Sequence, residues 1–315
     1  MIVAGKKFTR RAVIRSMASV GLGAMLTPLQ ATAEQVKWST GVNRPRVPLP
    51  PGAVDCHHHI YDARYPADPK ASLHPADASI SDYRDLQKRI GIARHVIVQP
   101  STYGTNNGLV LDSLKEFGSA ARAVVVVTDQ ISVSELTSMH DAGVRGVRFN
   151  LIYPGGVPIE MMRPLAKRIA EFGWHVQVVA GAERIVTCAD LLGDLPVPVV
   201  FDHMGQISNP GISHPAFAIV AKLLDQGKAW VKLSGPYTFS KAGPPTYSDA
   251  AELAKAYLKL APDLLVWGTD WPHPTEAENA KPDDALLVDL TSDWIGNEGL
   301  LTKIFVENPT RLYGF

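Results

Sequence analysis

Two histidines, separated by one residue, follow a short apolar run in the stretch VDCHHHIYD, which spans Val54–Asp62. Side chains of a β-strand alternate between its two faces, so His57 and His59 would point one way and His58 the other. Two imidazoles on one face at the end of a strand can coordinate a metal ion. They can equally donate hydrogen bonds to an anionic group, and the spacing alone leaves both chemistries open.

Polar side chains also stand at the ends of six later apolar runs. They supply carboxylates, a guanidinium, an amine, a third imidazole, amides and hydroxyls: Gln99, Ser101, Arg148, Asn150, Gln177, Asp202, His203, Lys232, Ser234 and Asp270. Burying polar groups without partners costs free energy. If these side chains converge at one end of the fold, they would therefore indicate a ligand site. Alternation places His58 and Asp202 on the faces opposite to His57 and His203, and we expect both to have structural roles.

The apolar runs alternate with amphipathic stretches, and this order predicts the elements that position the polar residues. The predicted strands are Ala53–Ile60, His95–Pro100, Ala123–Thr128, Gly146–Leu151, His175–Ala180, Val197–His203, Ala229–Gly235 and Leu264–Asp270. Nearly continuous apolar character is typical of parallel strands buried on both faces. Eight β-then-α units in roughly 260 residues predict an α/β fold of the (β/α)8 TIM-barrel type, with its chemistry at the carboxyl ends of the strands. An open doubly wound sheet is the alternative, but the Gly-rich phosphate turn typical of that fold is missing from the sequence.

The first 33 residues have the pattern of a twin-arginine signal peptide. A basic segment, FTRRAVIRS, precedes the apolar run MASVGLGAMLTPL, and ATAEQ offers a cleavage site after Ala33. An ordinary amphipathic N-terminal helix is the alternative interpretation. The apolar run is too short to span a bilayer. We therefore expect a soluble protein, periplasmic or otherwise exported, with a proline- and glycine-rich arm over residues 34–52 and a catalytic domain over residues 53–315.

Charge and cysteine content narrow the choice of partners. The chain has zero formal net charge, but its first 33 residues hold five basic side chains and no acid. The remainder therefore has 26 basic against 31 acidic side chains, a balance that argues against a nucleic-acid partner. A disulfide between Cys56 and Cys188 is possible in an oxidising compartment, but the sequence leaves their pairing open. It leaves the oligomeric state open as well.

Several motifs together resemble the amidohydrolase-related superfamily. They are the H-x-H pair of the first strand, VRFN at Val147–Asn150, FDHMG at Phe201–Gly205, GTDWPHP at Gly268–Pro274 and NPTRLYGF at Asn308–Phe315. Within the superfamily they are most similar to the branch that contains 2-pyrone-4,6-dicarboxylate hydrolase, D-galactarolactone isomerase and the aminocarboxymuconate-semialdehyde decarboxylase-like enzymes. The resemblance extends from residue 52 to residue 315.

The resemblance implies a role for each matching residue. His57 and His59 match the H-x-H pair, and His203 matches the histidine of the sixth strand. Asp270 matches the aspartate that activates water, and Arg148 matches an arginine that binds a substrate carboxylate.

Two departures from the family pattern affect the metal site and the substrate. Gln177 stands where the decarboxylases have a metal-binding histidine, so the metal set looks incomplete. Pro154 and Thr238 stand where the dicarboxylate hydrolase has further arginines, so a clamp for a second carboxylate looks absent.

These observations predict a hydrolase that opens the lactone ring of a carboxylated small molecule. Asp270 would be the base, and His57, His59 and His203 would complete the catalytic set, with the histidine pair stabilising the oxyanion. Arg148 would bind the substrate carboxylate. The groups expected to bind substrate hydroxyls or carbonyls are Gln177, Ser101, Asn150 and Tyr237.

This interpretation requires no cofactor. The alternative is a divalent metal such as zinc on His57, His59 and Asp270, with or without His203. A lactone isomerase would use the same site, with a substrate hydroxyl in place of water. A metal-dependent decarboxylase is a further alternative, which Gln177 opposes. A non-catalytic exported binding protein is the last, and the strand-end acids and histidines oppose it.

Overall fold

The computed structural model of the protein describes residues 35–315. Eight strands, each hydrogen-bonded in parallel to the next, lie in sequential order around a barrel. They are β1 (Val54–His58), β2 (Arg94–Val98), β3 (Ala121–Val125), β4 (Val144–Asn150), β5 (His175–Val179), β6 (Val199–Phe201), β7 (Ala229–Leu233) and β8 (Leu265–Trp267). A parallel bridge between His58 and Trp271 closes the barrel between its last and first strands. The predicted TIM barrel is confirmed.

Helices follow the strands in the expected alternation. They are α1 (Ile80–Ile90), α2 (Gly108–Phe117), α3 (Val133–Ala142), α4 (Met162–Ile169), α5 (Ala182–Thr187), α6 (Ala189–Gly193), α7 (Pro215–Asp225), α8 (Ser248–Leu260), α9 (Asp284–Ile295), α10 (Glu298–Thr302) and α11 (Asn308–Tyr313). Local sequence explains their ends. Ser79 and Asp82 form a capping box at the start of α1, and Gly91 ends that helix in a left-handed conformation.

The core has two parts. Apolar side chains between the strands and the helices form the larger part, and α4 contributes Met162, Leu165, Ala166 and Ile169 at helical spacing. The smaller part fills the barrel interior and is closed by Tyr313 of α11. This filled interior leaves the carboxyl ends of the strands as the place for a ligand.

Residues 35–52 form no helix or strand, but they are bound along one side of the barrel. Arg89 of α1 donates to Ser39 Oγ at 2.8 Å, and the Thr40 amide donates to the Pro282 carbonyl at 3.1 Å. The indole of Trp271 donates to the Lys37 carbonyl at 2.9 Å. This segment, which we call the arm, therefore contacts the residue that follows Asp270.

The predicted signal peptide and its cleavage site fall outside the described residues. Within residues 35–315, no helix is both long enough and apolar enough to cross a membrane. Cys56 and Cys188 are both buried, and each is a free thiol. Burial raises the pKa of the Cys56 thiol, which opposes a role for it as a nucleophile.

Candidate active site

Four predicted residues meet at the carboxyl end of the barrel. Nε2 of His57 and Nε2 of His59 lie 3.3 Å apart. Asp270 Oδ1 lies 3.5 Å from the first and 3.4 Å from the second, and 3.8 Å from Nε2 of His203. All four side chains are buried. The structure thus places one carboxylate oxygen opposite three imidazoles.

An irregularity in β1 turns the histidine pair inward. Asp55 points outward, where its carboxylate accepts a hydrogen bond from Tyr83 of α1 at 2.9 Å, and Cys56 points into the barrel. The pairing register with β2 shifts between Asp55 and His58. As a result Cys56 and His57 both face the interior, which strict alternation would not allow.

His58 points away from the site, as alternation predicts. Its ring stacks on Tyr83 of α1 with centroids 3.6 Å apart, and its Nε2 lies 2.8 Å from Nδ1 of His95. These contacts lie between the barrel wall and the surrounding helices.

Asp270 and His203 are oriented towards the site by left-handed backbone conformations. Asp270 follows β8 with φ 62°, and its amide donates to the His57 carbonyl at 2.7 Å. His203 has φ 50° in a short helical turn, Asp202–Gln206, that begins directly after β6. Such conformations are unfavourable for residues other than glycine and are concentrated at functional sites.

The expectation that Asp202 faces away from the site is wrong. β6 ends at Phe201, two residues before the predicted end at His203, and Asp202 keeps the inward phase of Val200, whereas the left-handed backbone of His203 turns that residue inward as well. Asp202 therefore also points inward, and its Oδ1 lies 3.1 Å from Nδ1 of His57.

A buried ion pair lies beneath the histidines. Lys232 Nζ is 3.2 Å from Asp202 Oδ1 and donates to Gln177 Oε1 at 2.8 Å. Both charged side chains are fully buried. Burial alone would raise the pKa of Asp202, but Lys232 and His57 hold it well below its usual value. Sequence reasoning noted Lys232 as a strand-end residue but did not assign it to the site; its signal was a single lysine within an apolar strand.

Gln177 is not brought to the ligand cavity. Its amide nitrogen donates to Asp202 Oδ2 at 3.0 Å, its oxygen accepts from Lys232, and the side chain is fully buried. The predicted substrate contact of Gln177 is therefore replaced by a contact with the buried ion pair. The reason is its position in the middle of β5, one layer below the strand ends.

Hydrogen bonds constrain the protons of the histidine pair. Nδ1 of His59 lies 2.7 Å from the Val98 carbonyl and must donate to it, which leaves Nε2 bare in the neutral ring. Burial lowers the pKa of His57 well below its usual value, which favours the neutral ring. Two ring nitrogens and the Asp270 carboxylate thus face one another, and a proton or a cation has to lie among them.

The donor set fits a divalent metal ion. His57, His203 and Asp270 each offer one ligand atom, all within 4.8 Å of one another. Imidazoles and a carboxylate are the ligands that zinc accepts at catalytic sites. A cation here could therefore take the place of the proton between the bare nitrogens and the carboxylate.

A cavity opens at these residues. Its lining comprises His59, Tyr61, Leu73, Pro100, Ser101, Arg148, Asn150, Tyr153, Val179, His203, Gln206, Thr238, Asp270, Pro274 and Thr275. Arg148 is the one lysine or arginine among these described residues. Ser101 and Asn150, both expected to contact substrate, reach the cavity, whereas Tyr237 donates a hydrogen bond to Asp270 Oδ2 at 2.8 Å.

The family of the chain follows from its sequence over this same barrel. The profile of the amidohydrolase family matches residues 54–315, which include all eight strands. The chain belongs to this family. The predicted family is confirmed, and the chain is an amidohydrolase-related hydrolase.

Named relatives narrow the similarity further. A 2-pyrone-4,6-dicarboxylate hydrolase of Comamonas testosteroni is 35% identical over 301 residues, covering 91% of this chain and 98% of the relative. A D-galactarolactone isomerase of Agrobacterium fabrum is 33% identical, covering 85% and 93%. The crystal structure of an Agrobacterium tumefaciens protein in its apo form superposes with a TM-score of 0.80 at 33% identity, covering 86% of this chain and 98% of the other.

Proposed function

We propose that the protein hydrolyses a lactone that carries a carboxylate, with Asp270 as the general base. The observation that carries this proposal is the buried carboxylate of Asp270, which lies opposite three imidazoles. The adjoining cavity has Arg148 as the one lysine or arginine in its described lining. Relatives named as a pyrone dicarboxylate hydrolase and a galactarolactone isomerase support a cyclic ester as the substrate.

The reaction balances with the groups present. Asp270 takes a proton from water, whose oxygen forms a bond to the lactone carbonyl carbon. The N–H shared by Nε2 of His57 and Nε2 of His59 donates a hydrogen bond to the developing oxyanion, and the proton stays on the imidazoles. When the tetrahedral intermediate collapses, the bond between that carbon and the ring oxygen breaks. Asp270 returns its proton to the ring oxygen, which leaves as an alcohol.

Arg148 can bind one substrate carboxylate. Its Nη1 donates to the Gln99 carbonyl at 3.2 Å and its Nε lies 3.4 Å from Asp202 Oδ2. Within residues 35–315, its Nη2 makes no hydrogen bond, and the side chain borders the cavity. A guanidinium nitrogen free to donate at a cavity wall favours an anionic group on the substrate.

The proposal needs no metal, although His57, His203 and Asp270 would hold one if it were bound. A metal there would supply polarisation of the lactone carbonyl. In the metal-free reaction, the hydrogen bond from the histidine pair to the developing oxyanion provides this polarisation.

An isomerase is the second candidate. Its support is the neutral polar lining of the cavity, where Ser101, Asn150, Gln206 and Thr238 could position a hydroxylated substrate. In that reaction a hydroxyl of the substrate replaces water as the nucleophile, and Asp270 takes the proton of that hydroxyl.

The test uses the purified protein with 2-pyrone-4,6-dicarboxylate and D-galactarolactone as probes in water enriched in ¹⁸O. Hydrolysis places one ¹⁸O atom in an open-chain product, whereas isomerisation gives a rearranged lactone without ¹⁸O. Asp270→Asn should lower kcat by at least about 10²-fold. Asp225→Asn, a change at an exposed aspartate at the end of α7, is the matched control and should keep normal turnover. Normal turnover by Asp270→Asn, or release of CO2 without ring opening, contradicts the proposal.

Export through the twin-arginine route is part of the same proposal. Support comes from the order of basic, apolar and small residues before Ala33. Replacing Arg10 and Arg11 by lysine should retain the full-length protein in the cytoplasm. N-terminal sequencing of the exported wild-type protein should begin at Glu34, and an unprocessed N-terminus in the exported protein would contradict the assignment.

A further inference from the structure

A line of hydrogen-bonded side chains runs from Asp270 away from the cavity. Tyr237 Oη donates to Asp270 Oδ2 at 2.8 Å and lies 2.7 Å from Nδ1 of His273. Nε2 of His273 lies 3.2 Å from Oδ2 of Asp284, at the start of α9. Neither His273 nor Asp284 borders the cavity.

The position of His273 is fixed by its backbone conformation and by hydrogen bonds to its backbone. The residue has φ 56°, and its amide donates to the Asp270 carbonyl at 2.7 Å. Lys281 Nζ donates to the His273 carbonyl at 2.7 Å. Both His273 and Asp284 are fully buried, so water does not compete for their polar atoms. This left-handed backbone conformation is uncommon for residues other than glycine.

Donors and acceptors fix the direction of the tyrosine proton. The phenol has one proton, and the Asp270 carboxylate can only accept it. Since that proton goes to Asp270 Oδ2, the phenol oxygen has to accept the hydrogen bond from Nδ1 of His273. One further proton lies between Nε2 of His273 and Oδ2 of Asp284. The hydrogen bond that it forms holds the imidazole ring on the side away from Tyr237.

We infer that His273, held by Asp284, is a positioning residue that directs the Tyr237 hydroxyl onto Oδ2 of Asp270. Oδ1 then remains the oxygen that faces the three imidazoles and accepts the proton of the nucleophile. This inference rests on the proposed role of Asp270 as a base and adds a function for His273, Asp284 and Tyr237. Because none of the three borders the cavity, their loss should lower kcat and leave KM nearly unchanged.

Two substitutions of His273 separate positioning from a general structural role. In His273→Asn the amide nitrogen takes the place of Nδ1 and can still donate to Tyr237, and asparagine tolerates a positive φ. In His273→Gln the amide nitrogen takes the place of Nε2 and reaches towards Asp284, so the donor to Tyr237 is lost. We expect His273→Gln to lower kcat about 10-fold or more and His273→Asn to lower it about 3-fold or less, with thermal unfolding confirming that both variants fold.

A double variant provides the second readout. If His273 acts through the tyrosine hydroxyl, His273→Gln should lower kcat no further when it is added to Tyr237→Phe. The substrate is whichever of 2-pyrone-4,6-dicarboxylate and D-galactarolactone the wild-type protein converts. Equal losses of kcat in His273→Asn and His273→Gln, or multiplying losses in the double variant, would overturn the inference. Normal turnover by Asp270→Asn would instead remove the proposed function, and the two failures are therefore distinguishable.

Discussion

Replacing Lys232 by methionine tests the buried ion pair beneath the histidines. Methionine keeps much of the side-chain length and removes the charge. Asp202 would then be left in the interior with Gln177 Nε2 at 3.0 Å, His57 Nδ1 at 3.1 Å and Arg148 Nε at 3.4 Å as its donors. Removing one partner of a fully buried pair costs about 3–5 kcal/mol, because the remaining charge is desolvated without compensation.

This free energy converts into a measurable shift of the unfolding temperature. A folded part the size of residues 35–315 has an unfolding entropy of roughly 0.6 kcal/mol per kelvin, from about 2.1 cal/mol/K per residue. Lys232→Met should therefore lower Tm by about 5–8 °C, measured by circular dichroism. Lys222→Met, on the exposed face of α7, is the matched control and should change the stability by less than about 0.5 kcal/mol.

The double variant decides whether the pair is the cause. Asp202→Asn alone leaves Lys232 buried without its carboxylate and should also be costly. Lys232→Met combined with Asp202→Asn removes both charges, so its cost should be smaller than the sum of the single costs by at least about 2 kcal/mol. If the costs of the two single variants add in the double variant, the ion pair does not explain them and the reasoning is refuted.

Three further outcomes are expected. Arg148→Met should lower kcat/KM for an acid lactone about 10-fold or more relative to a neutral analogue, because a charge-assisted pair is worth about 1.5–3 kcal/mol; an unchanged ratio would make Arg148 a structural residue. Burial lowers the pKa of His175 to about 3, so the folded state binds fewer protons there than the unfolded state and loses stability as pH falls below about 6.5. His175→Gln should reduce this loss by up to about 1.4 kcal/mol per pH unit between pH 6 and pH 4 in urea unfolding, whereas the exposed His74→Gln should not. Treatment with a chelator should leave kcat unchanged. A loss of activity that zinc restores would instead show that a metal bound by His57 and His203 replaces the proton between the histidines.

Strand periodicity was sufficient for the barrel and for much of the site. It predicted that His57 and His59 share a face and that His58 does not, and the contacts of all three agree. What it could not give is the point at which a strand stops or slips. The register shift in β1 is set by pairing with the neighbouring strand, and the left-handed turn after β6 points His203 to the same side as Asp202; for this reason Asp202 was assigned to the wrong face.

Depth along the barrel axis is the other quantity that the sequence did not supply. Gln177 and Lys232 face the interior, as their strands imply, but they lie below the cavity and bond to each other. Three-dimensional stagger of the strands decides which inward residue is uppermost, and the order of residues within one strand does not encode it.

The arm has a consequence for the order in which the molecule assembles. Lys37 and Arg46 find their partners, Trp271 and Asp293, 234 and 247 positions later in the chain. Contacts of such long range have a large loop-closure cost until the barrel between them has formed, so we expect them to form late. We therefore expect the arm, which precedes the barrel in the chain, to be among the last parts to settle, and its docking completes the wall behind Asp270. A chain interrupted before α9 would have every catalytic side chain and still lack the support that α9 gives to the arm.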